Sequence, residues 1–455
     1  MRILVVGGTG PIGAYCAIHL AAEGSDVTVS SRNPPAADSG VGDLDWLQGD
    51  YLAGSYSTAQ LAPFDAIVFA AGSDIRHVPA GQDPDEHYLN ANAGQVPGFA
   101  ALARDAGVKV FIHIGSFYPQ VAPDLIETDA YVRSRYLADQ GVCALSDKRF
   151  RALSLNAPFV VGCPSGMANA MFMAYLGYAR GFMPHILPFG PAGGSNFMSV
   201  RSLAEAVSGA LKNGVGGTSY LLGDENLTFA EFFGLFFNAA GNEAELPAMD
   251  KEHPLLPDSA IITGRGSVVS YQPDPAECSA LGYRRDDVRS TVDALVADID
   301  SNLGTVEPVS LSVNAGPDPD LMRLASLYSR AVDANDAEIM SQILTDDVII
   351  EGPGFRNTGK AEAEAIPAML RQMFRKTNHA VYQQLCDVGE DTAVAETYCT
   401  ANHFLFPDSQ LSEDRLLTWE IRYQDRFARV AGEWRFKRRS LIVDCMEVRP
   451  VARSL

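Results

Sequence analysis

Apolar runs and helical stretches alternate along the first 115 residues of the chain. The runs RILVVG, DAIVFAAG and VKVFIHIGS are apolar at nearly every position, and helical stretches such as PIGAYCAIHLAAEG lie between them. Strands without a polar face are buried on both sides, which is typical of a parallel sheet covered by helices. The pattern therefore predicts a doubly wound α/β domain. We extend it to residue 302, because the last helical stretch before the pattern changes ends close to that point.

The pattern changes after residue 302. Residues 303–318 are rich in Gly, Pro, Ser and Val and lack a helical period, so we interpret them as a linker. The amphipathic stretch DLMRLASLYSRAVDANDAEIMSQIL follows, then a second predicted helix over residues 360–376 and four β-rich runs. Helices followed by an antiparallel meander predict a separate α+β domain over residues 319–455.

The bulk composition narrows the classes of function. The 455 residues carry a formal net charge of −21 without any basic block, which argues against nucleic acid and anionic membrane surfaces as partners. The seven cysteines are scattered, odd in number and lack a C-x-x-C pair, so neither a disulfide framework nor a zinc site is expected. We predict reduced thiols, no bound metal and a cytoplasmic location.

The N-terminus and the richest apolar run bear on targeting. MRILVVGGTG enters a strand at once, without the features of a signal peptide, and no run of about 18 apolar residues predicts a membrane span. The run AMFMAYLGYARGFMPHILPF, residues 170–189, is interrupted by Arg180, Gly181 and Pro184. We interpret it as a buried helix or as the lining of a substrate pocket.

A glycine-rich turn between the first strand and the first helix predicts dinucleotide binding. Gly7, Gly10 and Gly13 have the spacing G-x-x-G-x-x-G, and Thr9, Pro11 and Ile12 complete the turn. Glycine is needed there because the backbone must turn tightly and approach a pyrophosphate, whose charge then lies at the helix N-terminus. The alternative is a purely structural turn.

The end of the second strand bears on the choice of cofactor. NAD enzymes usually carry an acidic residue there for the ribose 2′-hydroxyl, whereas this chain has Ser30, Ser31 and Arg32. Arg32 offers a fork of charged donors to a 2′-phosphate, so we predict a preference for NADP(H) over NAD(H). The alternative is that Arg32 stacks on adenine or points to solvent. Asp50 would suit the adenine amino group.

With YVRSR, residues 131–135, the turn resembles the extended short-chain dehydrogenases/reductases of the epimerase/dehydratase type. The resemblance covers residues 1 to about 300 and gives a Rossmann-like fold. Further matches follow in the family's order: FAAG at 69–72, Asn92, IGSFYP with Ser116, NAPFVVGCP at 156–164, FMSVRSLAEAV and TSYLLGDENLTFAEFF. The resemblance implies that Ala70, Ala71, Gly72, Asn92, Tyr131, Arg135 and Pro158 contribute to the cofactor site.

The mechanism that the resemblance implies is a proton relay beside hydride transfer. Tyr131 would exchange a proton with a carbonyl or alcohol oxygen, and Ser116 would hydrogen-bond the same oxygen. The family's lysine is replaced by Arg135, which keeps a positive charge one helical turn from Tyr131 but cannot give up its proton. The strand with Ser116 also departs from the family, since it reads GS rather than SS.

The C-terminal 140 residues resemble SnoaL-like and scytalone-dehydratase-like proteins, which are close to ketosteroid isomerase. The closing motif RYQDRFARVAGEW is the most specific piece. The resemblance implies a cone-shaped sheet around helices and places catalytic residues at Tyr328, Asp333, His379 and His403. Histidine serves as acid or base near neutral pH, and an aspartate behind it would fix its tautomer. Strand alternation favours Arg438 as a pocket residue, whereas motif alignment favours Arg439.

Together these patterns predict a bifunctional enzyme that acts on a bulky apolar cyclic or aromatic small molecule. The first domain would reduce a ketone or oxidise a secondary alcohol, and the second would dehydrate the product or shift its double bond. One alternative is that only the C-terminal domain is catalytic and the first is a cofactor-binding scaffold. Another is a dinucleotide-sensing regulator whose second domain binds a ligand or partner. A homodimer is a weak expectation from both folds.

Overall fold

The most apolar runs of the chain form the strands of a parallel sheet. The computed structural model describes residues 1–35, 39–74, 77–79, 81–167, 169–183, 185–303, 306, 308–353, 355–406 and 414–451. These residues divide into two compact units, of which the first comprises Met1–Asn169 and Pro188–Ile299 and the second Ala170–Leu187 and Asp300–Leu455.

The first unit is built from short strands and the helices that cover them. Its strands are β1 (Arg2–Val6), β2 (Asp26–Ser31), β3 (Asp45–Gln48), β4 (Ala66–Phe69), β5 (Val110–Ser116), β6 (Arg151–Ala157), β7 (Phe159–Val161), β8 (Gly190–Pro191), β9 (Gly194–Ser199), β10 (Ser219–Leu221), β11 (Glu225–Thr228) and β12 (Ala248–Met249). Its helices are α1 (Pro11–Ala22), α2 (Thr58–Leu61), α3 (Pro84–Tyr88), α4 (Gln95–Asp105), α5 (Tyr118–Val121), α6 (Leu125–Thr128), α7 (Ala130–Cys143), α9 (Val200–Asn213), α10 (Phe229–Ala239), α11 (Pro275–Leu281) and α12 (Val288–Leu303), with a π-helix at Leu89–Gly94 and a 3-10 turn at Asp258–Ala260.

The main sheet of this unit is parallel and buried on both faces. Its strand order is β10-β6-β5-β4-β1-β2-β3, and every neighbouring pair is parallel. In β1, Ile3 and Val5 pack into a core with α1 and α9, whereas Leu4 and Val6 pack into a second core with α4 and α7. This two-sided burial explains why apolar residues occupy both faces of the central strands. The predicted doubly wound fold is therefore confirmed.

The second unit is a six-stranded sheet with helices against it. Its helices are α8 (Ala170–Ala179), α13 (Pro319–Ala334), α14 (Ala337–Ile343), α15 (Lys360–Glu364) and α16 (Ile366–Met373), and its strands are β13 (Leu344–Gly352), β14 (Phe355–Thr358), β15 (Lys376–Val388), β16 (Thr392–Phe404), β17 (Asp414–Val430) and β18 (Glu433–Val451). The strand order is β14-β13-β18-β17-β16-β15. The helix α13 buries Leu321, Tyr328 and Val332 against inward residues of this sheet such as Phe427 and Phe436.

Three features of the second unit differ from the sequence-based expectation. The sheet is mixed rather than a plain antiparallel meander, because β13 pairs with β18 in parallel. The helix predicted over residues 360–376 is two short helices, and Lys376 already begins β15. Residues 170–187 group with this unit, although the division at residue 302 assigned them to the first domain. Pro184, one of the predicted interruptions of that run, lies outside the described residues.

The segment predicted as a linker lies along the second sheet where it is described. The backbone nitrogen of Val309 donates to the Gln424 side chain at 2.7 Å, and the Ser312 hydroxyl donates to Asp387 at 2.7 Å. Gly316 forms a bridge with Cys386. Residues 304, 305 and 307 lie outside the described residues. In the described ranges, no helix is long and apolar enough to cross a membrane.

Candidate functional site

Parallel strands bring the predicted cofactor residues to one edge of the first sheet. The carboxyl ends of β1 to β6 all lie at this edge, because neighbouring strands run in the same direction. The predicted residues that end or follow these strands are Gly7, Thr9, Gly10, Pro11, Ile12, Gly13, Ser31, Arg32, Asp50, Ala70, Ala71, Gly72, Ser116 and Pro158. The strand order reverses between β4 and β1, which is where open α/β sheets bind their ligands.

The glycine turn has the geometry that a pyrophosphate requires. Gly7 has a φ of 79°, a left-handed conformation that disfavours other residues, and its nitrogen donates to the Ser30 carbonyl at 2.9 Å. A Cβ at Gly13 would overlap the Gly7 carbonyl oxygen. Gly10 caps α1 without any side-chain hydrogen bond, so the first N–H groups of this helix are available to an anion. These features fit a dinucleotide.

Three predicted cofactor residues lie near the ends of β2 and β3. Two of them are hydrogen-bonded within the fold, and the third is an arginine with an exposed side chain. The Ser31 hydroxyl donates to the Asn33 carbonyl at 2.6 Å and accepts from Trp46 Nε1 at 3.1 Å, so it is already engaged. Asp50 Oδ1 accepts from the Leu52 nitrogen at 2.9 Å. Arg32 is exposed, and its guanidinium has no hydrogen-bond or ion-pair partner in the described ranges.

Asn92 joins the loop after β4 to the helix that carries the predicted catalytic residues. Its side-chain amide donates to the Ser73 carbonyl and to the Ser134 hydroxyl, both at 3.0 Å, and its Oδ1 accepts from the Ser73 nitrogen at 3.0 Å. Asn92 is fully buried in the π-helix Leu89–Gly94, a type of bulge that often occurs at functional sites. The structure therefore gives Asn92 a positioning role.

The predicted catalytic residues of the first unit lie on β5 and α7. Ser116 is buried at the end of β5, and its hydroxyl makes no hydrogen bond to any described residue. Tyr131 is half-buried in the first turn of α7, with its ring 5.4 Å from that of Tyr88 in an edge-to-face contact. The hydroxyl of Tyr118 bonds to the backbone of Ile262, and burial raises its pKa. Tyr118 is thus a packing residue.

The arginine that replaces the family's lysine is buried beside the strand ends. Arg135 Nη2 donates to the Ile114 carbonyl at 3.0 Å, and its Nη1 lies so close to Gly72 that a Cβ there would overlap it. Arg135 Nε has no hydrogen-bond partner in the described ranges. The buried His113, which sequence reasoning missed within an apolar strand, is held neutral: burial and then the Arg135 charge keep its pKa well below the usual value.

In the second unit, a carboxylate and an imidazole form a hydrogen-bonded pair. Asp333, on α13, lies 2.7 Å by Oδ1 from Nδ1 of His379 on β15, and its Oδ2 accepts from the His379 backbone nitrogen at 2.8 Å. Thr377 donates to Oδ1 at 2.9 Å. Burial alone would raise the pKa of Asp333, but these hydrogen bonds and the His379 charge outweigh it and lower the pKa. The pair leaves Nε2 of His379 as the nitrogen that can take a proton.

His403 is the second histidine of this site, on the neighbouring strand β16. Its ring centroid lies 5.9 Å from that of His379, and it packs against Phe374 at 4.6 Å and Trp419 at 5.5 Å. Burial, reinforced by His379, lowers the pKa of His403 to about 3. It is therefore neutral near pH 7. The catalytic roles of His379 and His403 stay predictions.

A buried ion pair lies beside Tyr328. Arg439 binds Asp425 through two hydrogen bonds of 2.8 and 2.7 Å, and its guanidinium stacks 4.4 Å from the Tyr328 ring centre and 4.0 Å from that of Tyr423. Burial raises the pKa of Tyr328 to about 12, so its hydroxyl stays protonated. Nη1 of Arg439 has no partner in the part of the chain that the structure describes.

The choice between Arg438 and Arg439 is decided by a β-bulge. The pairing of β17 with β18 shifts between Arg438 and Phe436, so Arg439 and Phe436 face the same side. Arg438 instead binds Glu351 at 2.8 Å and is 42% exposed. Simple alternation was therefore wrong here and motif alignment correct. Sequence reasoning missed the partner Asp425. Its signal in the sequence was an acidic residue at a position of β17 that faces the interior of the unit.

The predicted catalytic residues of the second unit lie on α13, β15 and β16, and a cavity in this unit lies elsewhere. Tyr328 and Asp333 are five residues apart on α13, about 7.5 Å along the helix. A cavity of about 610 Å³ is lined instead by residues such as Thr345, Arg426 and Lys437 and contains neither histidine. Within the described ranges, no group of His, Cys, Asp and Glu is placed to hold a metal ion.

Comparisons with known proteins agree with this division. Residues 3–223 match the sequence model of the NAD dependent epimerase/dehydratase family, and residues 320–440 match that of the SnoaL-like domain. A comparison with curated protein sequences finds no match.

Three solved structures share the fold over about two thirds of this chain. The protein gox2253 is 20% identical, with a TM-score of 0.53, 66% of this chain covered and 98% of its own. TunA, an NAD dependent NDP-hexosamine 5,6-dehydratase of tunicamycin biosynthesis, is 17% identical, with a TM-score of 0.50 and coverages of 66% and 98%. The UDP-glucose 4-epimerase of Thermotoga maritima is 15% identical, with a TM-score of 0.50 and coverages of 67% and 100%. The chain thus combines a domain of the NAD dependent epimerase/dehydratase family, which binds nicotinamide dinucleotides, with a SnoaL-like domain.

Proposed function

We propose that the protein is a bifunctional enzyme acting on a bulky apolar cyclic or aromatic ketone or alcohol. The first unit exchanges hydride between NADP(H) and a carbonyl or secondary alcohol. The second unit then removes water from, or shifts a double bond in, the neighbouring carbons. The observation that carries this proposal is the Asp333–His379 pair with the neutral His403 beside it and the Arg439–Tyr328 pair on the same helix and sheet.

The dehydration step is assigned to the second unit. Nε2 of His379 takes the α-proton of a β-hydroxy ketone, while Asp333 holds Nδ1–H and stabilises the imidazolium that forms. The electrons move to the carbonyl oxygen, which Tyr328 and Arg439 Nη1 stabilise as an enolate. When the C–O bond breaks, the His379 imidazolium returns its proton to the departing hydroxyl, and water leaves. Neutral His403 orients that hydroxyl.

The redox step is assigned to the first unit. When bound, the nicotinamide supplies or accepts hydride. Gly7, Gly10 and Gly13 would hold its pyrophosphate, and Arg32 would bind a 2′-phosphate because it is exposed and carries no partner in the described ranges. Tyr131 donates or accepts the proton at the substrate oxygen, and Ser116 hydrogen-bonds that oxygen.

A direct test uses 3-hydroxy-1-tetralone, whose loss of water leads to 1-naphthol and a fluorescence signal. The full chain is expected to accelerate this loss, and His379→Gln is expected to lower the rate at least 100-fold, because general-base catalysis contributes that much. The control variant is Tyr382→Phe, which changes an exposed ring on the same strand. Equal rates for wild type and His379→Gln would refute the dehydratase proposal.

The cofactor assignment has its own test. NADPH is expected to bind more tightly than NADH, and Arg32→Ala should weaken NADPH binding about tenfold while leaving NADH binding unchanged, since one charge-assisted contact is lost. Titration of both nucleotides with both proteins measures this. Equal affinities for NADPH in the two proteins would contradict the role of Arg32.

One observation favours a second candidate function. The Arg135 guanidinium donates to the Ile114 carbonyl, so it would serve as a fixed charge in the cofactor site without assisting proton exchange at Tyr131. In that case the first unit is a cofactor-binding scaffold, and the second alone is catalytic. NADPH oxidation with a panel of cyclic β-diketones separates the two: a rate that Tyr131→Phe abolishes supports the bifunctional enzyme, and no rate supports the scaffold.

A further inference from the structure

Residues 170–187 contribute a third histidine to the second unit. This segment forms α8 and the turns after it, and it groups with residues 300–455 by its contacts. Its His185 ring lies 6.1 Å from the Phe374 ring, and Phe374 in turn packs against His403 at 4.6 Å. His185 is therefore next to the site of His379 and His403, although it precedes them in sequence by 194 and 218 residues.

Three buried polar atoms lie along this series of ring contacts, which runs from His185 through Phe374 and His403 to Trp419. His185 Nδ1, His403 Nδ1 and Trp419 Nε1 are all shielded from solvent, and none has a hydrogen-bond partner among the described residues. Buried polar groups in proteins nearly always have a partner, so three such atoms joined through consecutive ring contacts point to a bound group that satisfies them. The apolar neighbours of the cluster include Leu405 and Leu417, and the charged side chain of Arg415 lies near enough to His185 to act on it.

The charge state of the cluster selects the kind of group that it binds. Burial, with the Arg415 charge acting in the same direction, lowers the pKa of His185 to about 4, and His403 is also neutral. A neutral imidazole has one donor and one acceptor nitrogen, and an indole has one donor. Such a set matches a hydroxyl or carbonyl oxygen. The two histidines and the tryptophan themselves supply no charge to an anion.

We propose that His185 is a binding residue of the His379 site and holds a second neutral oxygen of the substrate, remote from the carbonyl at Tyr328 and Arg439. This inference rests on the proposed function for the identity of the site. The substrate class is thereby narrowed to apolar ring compounds with oxygen functions at two separated positions.

Fluorescence titration of the full chain with 2-naphthol and 2,6-dihydroxynaphthalene tests this inference, because the two probes differ by one distant hydroxyl. Wild type is expected to bind the diol about five- to tenfold more tightly, the value of one neutral hydrogen bond. His185→Phe keeps a ring of similar size and should abolish this preference without changing the affinity for 2-naphthol. His185→Asn keeps a donor and an acceptor and should retain part of it.

The control is Leu187→Ala in the same segment, whose side chain is 63% exposed and which should behave as wild type. The inference is overturned if wild type shows no preference for the diol. It is also overturned if His185→Phe lowers the affinity for both probes equally, as a structural role of His185 or an ordered water would predict. Turnover of 3-hydroxy-1-tetralone is measured separately. A diol preference without turnover refutes the dehydratase proposal alone, whereas turnover without a diol preference refutes the role of His185 alone.

Discussion

The buried ion pair of Asp425 and Arg439 offers the sharpest test of how the second unit is held together. Both side chains are almost completely inaccessible, with 0% and 1% exposure. Arg439→Met leaves the Asp425 carboxylate without its charged partner, and removal of one member of such a pair costs about 3–5 kcal/mol. Methionine refills most of the space between the Tyr328 and Tyr423 rings, so about 4 kcal/mol of the unfolding free energy of the second unit should be lost.

The double variant Arg439→Met with Asp425→Leu separates the charge effect from packing. Because no charge remains buried, its stability should return to within about 2 kcal/mol of wild type. The matched control is Arg422→Met, whose partner Asp444 is 44% exposed, and it should cost at most about 1 kcal/mol.

Urea denaturation followed by tryptophan fluorescence measures these differences. The chain has three tryptophans, and a Trp46→Phe background leaves only Trp419 and Trp434, both in the second unit. The transition then reports on that unit. The argument is that each buried charge needs the other as its partner. It would be refuted if Arg439→Met lost less than about 1 kcal/mol of unfolding free energy, or if the double variant were as unstable as the single one.

Three further predictions concern other parts of the molecule. The pKa of His403 falls from 6.5 to about 3 on folding, so between these values the unfolded state binds more protons, and the second unit should lose up to about 5 kcal/mol as pH drops from 6.5 to 3. Urea midpoints against pH check this, and His403→Phe should flatten the curve. Gly13→Ala should abolish NADPH binding in a titration, because its Cβ would overlap the Gly7 carbonyl oxygen. Asn92→Ala should lower the unfolding free energy of the first unit by about 1–3 kcal/mol, since it leaves the buried backbone nitrogen and carbonyl of Ser73 without their hydrogen-bond partner; an unchanged urea midpoint would contradict this.

The elements that sequence reasoning recovered are those determined by local pattern. The strands around Leu4 and Ile67 are apolar at every position except the exposed Arg2, because helices cover both faces of the sheet. The glycine turn can be recognised in the sequence because the backbone at Gly7 has a φ of 79°, a conformation that favours glycine. Asp333 and His379 are 46 residues apart in sequence. From the sequence, only the resemblance to the SnoaL-like domain predicted that they share a site.

Other features depend on contacts that no local pattern encodes. The β-bulge between Phe436 and Arg438 reverses which of two adjacent arginines enters the unit, and a bulge arises from pairing with β17 rather than from the residues of β18. The destination of Arg135 is equally non-local, since its guanidinium reaches the Ile114 carbonyl on another element.

The sequence by itself determined the two fold classes, the cofactor turn and the set of residues able to act as acids and bases. It could do so because backbone conformation, and burial on one or two faces, produce a regular pattern of residue types along the chain. Tertiary structure alone decided that His185 joins the second unit, that His403 is neutral, and that Arg439 is paired with Asp425. Desolvation and charge pairing depend on which distant side chains surround a group, and that information exists only once the chain is folded.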